Sequence, residues 1–253
     1  MNNEHIIKEL INNISEAETI EFPFPHKFVE NIFPKDFYEE LLNFLPPKST
    51  YLPIKATGRV NNINYSDERY TFELTKDDYL LKLDLKNRNF FYNLRKILFS
   101  PLLFNAVTSN FKKTIDSHLL NLSEEEKKTI NFPNLNFYFK SALIKDYTKY
   151  SLGAHTDSFH KFITFLFYIP SNKNLIKNGT ALYEPINEIK SESHFSLENT
   201  KKLFNKIKTC SFIPNSLLIF PRTNNSFHGV EEVNIDQKER NLLLLNYYLK
   251  KIS

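Results

Sequence analysis

Cysteine is nearly absent. Cys210 is the only one in 253 residues, which excludes an internal disulfide framework. It sits in Thr-Cys-Ser-Phe with no CxxC companion and reads as a small half-buried residue rather than a nucleophile or metal ligand. Long apolar runs are missing too. None approaches the roughly 20 residues that span a bilayer, and the opening MNNEHIIKELINN lacks the basic lead-in and apolar core of a signal peptide. A soluble protein of a reducing cytoplasm, with no membrane partner, is the expectation. Nor is charge of one sign concentrated: 33 basic and 29 acidic residues give +4, with no stripe that would track phosphates, so no nucleic-acid partner is expected. Lys112-Lys113, Lys127-Lys128 and Lys201-Lys202 read as solvated helix faces. Glycine is rare at 4, and no repeat or low-complexity linker divides the chain. The length suits one domain, 1–253, with a well-buried core.

Aromatic residues, by contrast, are plentiful, with 24 Phe and 13 Tyr. The first half reads mainly helical. In PKDFYEELLNFL, Phe37, Leu41, Leu42 and Leu45 recur at helical spacing until Pro46-Pro47 stop the element. Residues 51 to 75, with their single Gly58, read as a loop with short strands. A helix near 87–99 carries Phe90, Phe91, Leu94, Ile97 and Leu98. Ser100-Pro101 is an N-cap followed by proline at the first helical position, and Ser123 with Glu126 forms a capping box. From about Asn134 the period changes. NLNFYFKSALI, KFITFLFYI, SLLIF and RNLLLLNYYL are short β-branched and aromatic runs bounded by Pro, Asn and Gly. The last is apolar on both faces, as in a strand between a filled barrel and a covering layer. The expected fold class is mainly β with flanking helices (α+β). A β-barrel catalytic core over 134–249 is backed by helical support and loops in 1–133.

His155 and Asp157 in GAHTDS are two residues apart, so on a strand both side chains leave one face and can reach one metal ion. His228 in SFHGV follows the buried strand SLLIFP and can return antiparallel beside them. Two imidazoles and a carboxylate on one face of an octahedron leave the other positions open, the arrangement that suits Fe(II) and oxygen chemistry. An HxD pair alone is also what a satisfied turn looks like. Arg240 changes the balance. It opens an apolar strand, where a guanidinium is costly to desolvate without an anion, and its planar fork suits a carboxylate. No acid near it in sequence shares its strand face.

Taken in order, YTKYSLGAHTD, KFITFLFYIP, NGTALYEP, FIPNSLLIFPRTNNSFHGVEEV and ERNLLLLNYYL resemble successive strands of the prolyl-hydroxylase-like 2-oxoglutarate/Fe(II)-dependent oxygenase superfamily. The resemblance covers roughly residues 134 to 249. It implies a double-stranded β-helix (jelly roll, cupin-like) core with an N-terminal helical layer. It also implies His155, Asp157 and His228 as metal ligands and catalytic centre, and Arg240 as the anchor of the 2-oxoglutarate co-substrate. Tyr168 matches a tyrosine that hydrogen-bonds the same carboxylate, with Thr164 and Leu166 on its face, and Tyr147 one that lines the co-substrate pocket. Fe(II), 2-oxoglutarate and O2 are the implied cofactors, with ascorbate as reductant. Gly179-Thr180 stands where Gly-Gly is usual, and VNIDQKE lengthens the step from His228 to Arg240. The implied activity is a dioxygenase that hydroxylates a small polar metabolite, a glycan-linked group or a peptidyl side chain, releasing succinate and CO2. The rival is a metal-binding cupin, isomerase or sugar-binding module, without oxygen chemistry. His160 and Lys161 follow the HxD turn closely enough to reach a substrate, but a solvent-exposed loop explains them equally well; His194 belongs to a stretch that can form a lid, His5, His26 and His118 read as surface or helix-terminus residues, and none of these is assigned chemistry.

Overall fold

The computed structural model describes residues 2–57, 67–191, 194–234 and 239–252. The chain opens on a helix that lies upstream of the first one expected. α1 (Asn3–Glu16) is capped by the Asn2 side chain and buries Ile6, Leu10 and Ile14, a stripe at i, i+4 and i+8. After β1 (Lys27–Glu30), the expected helices follow as α2 (Lys35–Asn43) and, past β2 (Leu52–Pro53), β3 (Arg69–Glu73) and an unexpected short α3 (Asp77–Leu80), α4 (Leu85–Leu98). α5 (Pro101–Asn110) starts on Ser100 with proline inside its first turn. α6 (Lys112–Leu120) leads to α7 (Glu124–Thr129), where both halves of the Ser123–Glu126 capping box are formed. Gly58 lies outside the described residues.

The second half supplies β4 (Phe137–Asp146), β5 (Leu152–His155), β6 (Lys161–Tyr168), β7 (Thr180–Pro185), α8 (Leu197–Leu203), β8 (Phe204–Cys210), β9 (Ser216–Pro221), β10 (His228–Val230) and β11 (Arg240–Leu249). They form two antiparallel sheets. The larger has the order β1-β9-β6-β11-β4-β3-β2 and the smaller β5-β10-β7-β8. β11 lies in the middle of the larger sheet and pairs along its whole length with β4 and along most of it with β6. Because side chains alternate across a strand, Leu243, Leu245, Tyr247 and Leu249 pack into the core shared with the helices. Leu242 and Leu244 turn to the space between the sheets.

The helical layer is joined to the barrel by aromatic contacts. Phe33 stacks on Phe167 of β6 at 5.2 Å between ring centroids, and Phe90 of α4 stacks on Phe37 and Phe44 at 5.6 and 4.6 Å. Each fully buried ring stabilises the fold by about 1.5–3 kcal/mol. Residue 134 is not a structural boundary. β1 pairs with β9 and β3 with β4, so the first half contributes three strands of the larger sheet as well as its helical cover. His118 lies in the last turn of α6, as a helix-terminus residue, but it and His26 are buried rather than superficial, each with one ring nitrogen on a backbone carbonyl, of Phe159 and Phe24 respectively.

Candidate metal centre and co-substrate pocket

The smaller sheet brings the two histidines together, since His228 of β10 is the direct antiparallel partner of His155 of β5. Gly229 makes that pairing possible. A Cβ there would stand 2.5 Å from the Leu152 carbonyl oxygen, so a side chain would force β5 and β10 apart. β5 ends at His155, and Asp157 therefore lies just past the strand rather than on it. Its backbone carbonyl accepts from Arg222 Nε at 3.2 Å. Its carboxylate accepts from Thr164 Oγ1 at 2.7 Å and from Lys161 Nζ at 2.8 Å. Ligand atoms of His155, Asp157 and His228 all lie within 4.8 Å of one another.

The protonation states suit a cation. His155 Nδ1 is 3.0 Å from the Gly153 carbonyl and His228 Nδ1 is 3.0 Å from the Ser226 carbonyl. A carbonyl only accepts, so each Nδ1 carries the proton and each Nε2 keeps its lone pair, the usual outer-shell arrangement of metal-binding imidazoles. Burial, reinforced by the neighbouring imidazoles, holds His155 well below the ordinary histidine range; burial likewise lowers His228. For Asp157, burial acts to raise the carboxyl, but Lys161 and the two histidines outweigh it and keep it below the ordinary carboxylate range. Two neutral imidazoles and one carboxylate are a donor set for a divalent metal such as Fe(II).

A second polar pole stands in the same cavity, which has a volume of about 340 Å³. Arg240 is fully buried, and so is Asp146, its direct partner on β4. Arg240 Nη1 donates to Asp146 Oδ2 at 2.7 Å and Nε to the Asn178 carbonyl at 2.5 Å. The acid that sequence proximity did not offer is supplied across the strands. Arg69 of β3 closes the cluster, its Nε and Nη2 reaching Asp146 Oδ1 and Oδ2 at 2.6 and 2.8 Å. Nη2 of Arg240 is buried and has no hydrogen-bond partner among the described residues. Nε and Nη1 are thus engaged, one on each edge of the fork, and Nη2, common to both edges, is left with its donors unused.

The other expected co-substrate residues fall in different places. Thr164 and Leu166 line the cavity, and Thr164 braces the Asp157 carboxylate. The Tyr168 hydroxyl donates to Thr180 Oγ1 at 2.7 Å and accepts from the Thr180 backbone at 3.2 Å, and it is Thr180 that lines the cavity. Tyr147 lies outside it. Asp146 before it faces inward, so Tyr147 turns away, edge-on to Tyr70 and under Lys48 Nζ at 4.0 Å. His194 pairs with His155 in an isolated bridge and stacks on its ring at 4.7 Å. Arg69 was not foreseen: in RYTFE only the pairing of β3 with β4 gives it a role. Residues 235–238, in the expected extended turn before Arg240, lie outside the described residues.

No protein-family model matches the chain, and no curated protein matches its sequence. Solved structures do match. The non-heme alpha ketoglutarate dependent carbocyclase SnoK from nogalamycin biosynthesis aligns with a TM-score of 0.50 at 10% identity, covering 99% of this chain and 86% of that one. The chain has the double-stranded β-helix fold of SnoK. An oxidoreductase of the 2OG-Fe(II) oxygenase family from Burkholderia pseudomallei aligns with a TM-score of 0.48 at 9% identity over 96% and 89% of the two chains. A prolyl-4-hydroxylase from Pseudomonas putida aligns with 0.46 at 10% identity over 96% and 98%. The two antiparallel sheets and the helices on the larger one are the expected jelly-roll core with an N-terminal helical layer. No helix among the described residues is long and apolar enough to cross a membrane.

Proposed function

We propose that the protein is an Fe(II)- and 2-oxoglutarate-dependent dioxygenase acting on a small polar metabolite or glycan-linked group, with a peptidyl side chain as the other substrate class. The observation that carries this is the pairing, in one cavity, of a His-Asp-His donor set with an arginine whose buried Nη2 has no partner among the described residues. A metal cupin without a co-substrate gives no role to that nitrogen, whose burial unpaired costs about 1–3 kcal/mol or more. His155 Nε2, His228 Nε2 and one Asp157 oxygen hold the metal. Arg240 receives the distal carboxylate of 2-oxoglutarate, and Thr180, fixed by Tyr168, lines the same end. Bound there, Fe(II) with 2-oxoglutarate and O2 supplies an oxidative decarboxylation that yields succinate and CO2 and leaves one oxygen atom for the substrate.

The protein's own contribution is placement. Gly153 and Ser226 carbonyls fix the imidazole tautomers, Thr164 and Lys161 orient the Asp157 carboxylate, and Asp146 fixes the plane of the Arg240 guanidinium. Ascorbate serves as reductant in this reading, and the compartment is the cytoplasm, in keeping with the single buried thiol. The test is succinate formation from 2-oxoglutarate under air with Fe(II) and ascorbate. Metal binding with no succinate formed, and no metal-to-ligand charge-transfer band on anaerobic addition of 2-oxoglutarate, would return the protein to the cupins.

A further inference from the structure

We infer that His194 is a positioning residue of the metal centre: its imidazole, stacked on His155, holds the first histidine of the donor set in the orientation a metal requires. The inference rests on the reading of His155, Asp157 and His228 as metal ligands and adds a side chain to which that reading gives no task. Its first support is a row of three imidazoles. His155 pairs with His228 of β10 on one edge of β5 and with His194, in an isolated bridge, on the other. The three side chains therefore leave one face of the sheet with His155 in the middle. Ring centroids are 4.3 Å apart on the His228 side and 4.7 Å on the His194 side, where the planes meet at only 14°. His194 stands two strand spacings from His228, roughly 9–10 Å along the row. That is too far for the two to share one ion, so His194 supports a ligand rather than being one.

The second support is the way the chain keeps His194 in place. β5 is an edge strand of the smaller sheet, and the stretch from His194 to Thr200 is seated along its open edge. Phe195 N donates to the Ala154 carbonyl at 3.1 Å, and Ala154 N donates to Thr200 Oγ1 at 2.8 Å. Thr200 Oγ1 in turn donates to the Ser196 carbonyl at 2.8 Å and closes the stretch on itself. β5 makes room for all of this at Gly153, where a Cβ would stand 1.9 Å from the Phe195 carbonyl oxygen and 2.9 Å from Thr200 Oγ1. The need for support follows from His155. A metal lies in the imidazole plane, along the Nε2 lone pair. The contact of Nδ1 with the Gly153 carbonyl fixes the tautomer but is a hinge about which the ring tilts, and a ring on either side removes that tilt.

The experiment uses Co(II), which takes the same donor set and reports its geometry by ligand-field absorption. Its affinity is read by competition with a chelator, and its bands by titration, in the full-length parent, His194→Ala and His194→Phe. The alanine variant should bind Co(II) about two- to tenfold more weakly, the range of one aromatic contact, with its ligand-field bands shifted. The phenylalanine variant keeps a flat ring and removes both nitrogens, and it should restore parental affinity and parental bands. A role in fold stability alone would lower the urea midpoint of the alanine variant and leave the bands in place. Parental affinity and bands in His194→Ala overturn the inference, and so does a phenylalanine variant as impaired as the alanine one. No Co(II) binding by the parent instead sinks the reading of the donor set, and the inference falls with it.

Discussion

Arg240 stands out in the sequence because a charge in an apolar strand demands an explanation, but its environment was only half legible. Asp146 ends the run SALIKD and Arg69 opens RYTFE, and neither is near Arg240 in sequence. Only strand register joins them. That register now separates two variants. Arg240→Leu leaves Asp146 on the Arg69 fork, so the fold should hold while 2-oxoglutarate binding weakens by about 2–5 kcal/mol; titration of the anaerobic Fe(II) protein by its charge-transfer band measures this. Asp146→Ala leaves two guanidinium groups with no carboxylate between them and should cost about 3–5 kcal/mol of stability in urea unfolding. A larger stability loss for Arg240→Leu than for Asp146→Ala would contradict the cluster as described. For the metal, His155→Ala and His228→Ala should each abolish stoichiometric Fe(II) binding in equilibrium dialysis, and binding equal to the parent in both would remove the centre from the protein.

At the level of elements, segments with local signals were readable and those defined by distant partners were not. The Ser100-Pro101 start and the Ser123–Glu126 box carry their own hydrogen-bond logic and reappear in α5 and α7. β1 is four residues long and is a strand because β9 lies beside it. The candidate site shows the same division: HxD and the distal histidine were legible as residue types, while their junction depends on the close approach of β5 and β10 at Gly229. Gly229→Val should therefore abolish Fe(II) binding with the far-UV circular dichroism of the larger sheet retained. Retained stoichiometric iron in that variant would show that the two strands can separate without harm. Thr164→Val, which removes the donor to Asp157 Oδ2, should weaken Fe(II) by about 10–100-fold, read by competition with a chelator. Unchanged affinity would mean that Lys161 alone orients the carboxylate.

Across the whole molecule, buried neutral histidine makes stability depend on pH. Burial lowers His118 to about 4, despite its bond to the Phe159 carbonyl. The unfolded chain then takes up a proton near pH 6.5 that the folded one refuses until about pH 4, so stability is present above the unfolded value and is lost as pH falls through this window. From about pH 7.5 to pH 5 this one group should remove about 2 kcal/mol. His118→Gln should flatten the fall in urea midpoint by that amount, and an unchanged slope would place the acid sensitivity elsewhere. The central place of β11 has a different consequence, concerning time. The ribosome delivers β11 after every other strand of the larger sheet, yet β11 is the strand that separates β4 from β6. From the end of β9 to the end of β11, roughly thirty residues or about 1.5–6 s of synthesis, the nascent chain holds strands for two half-sheets with no common strand between them. The larger sheet is therefore completed only when its last strand arrives, and until then the apolar faces of β4 and β6 lack the strand that lies between them.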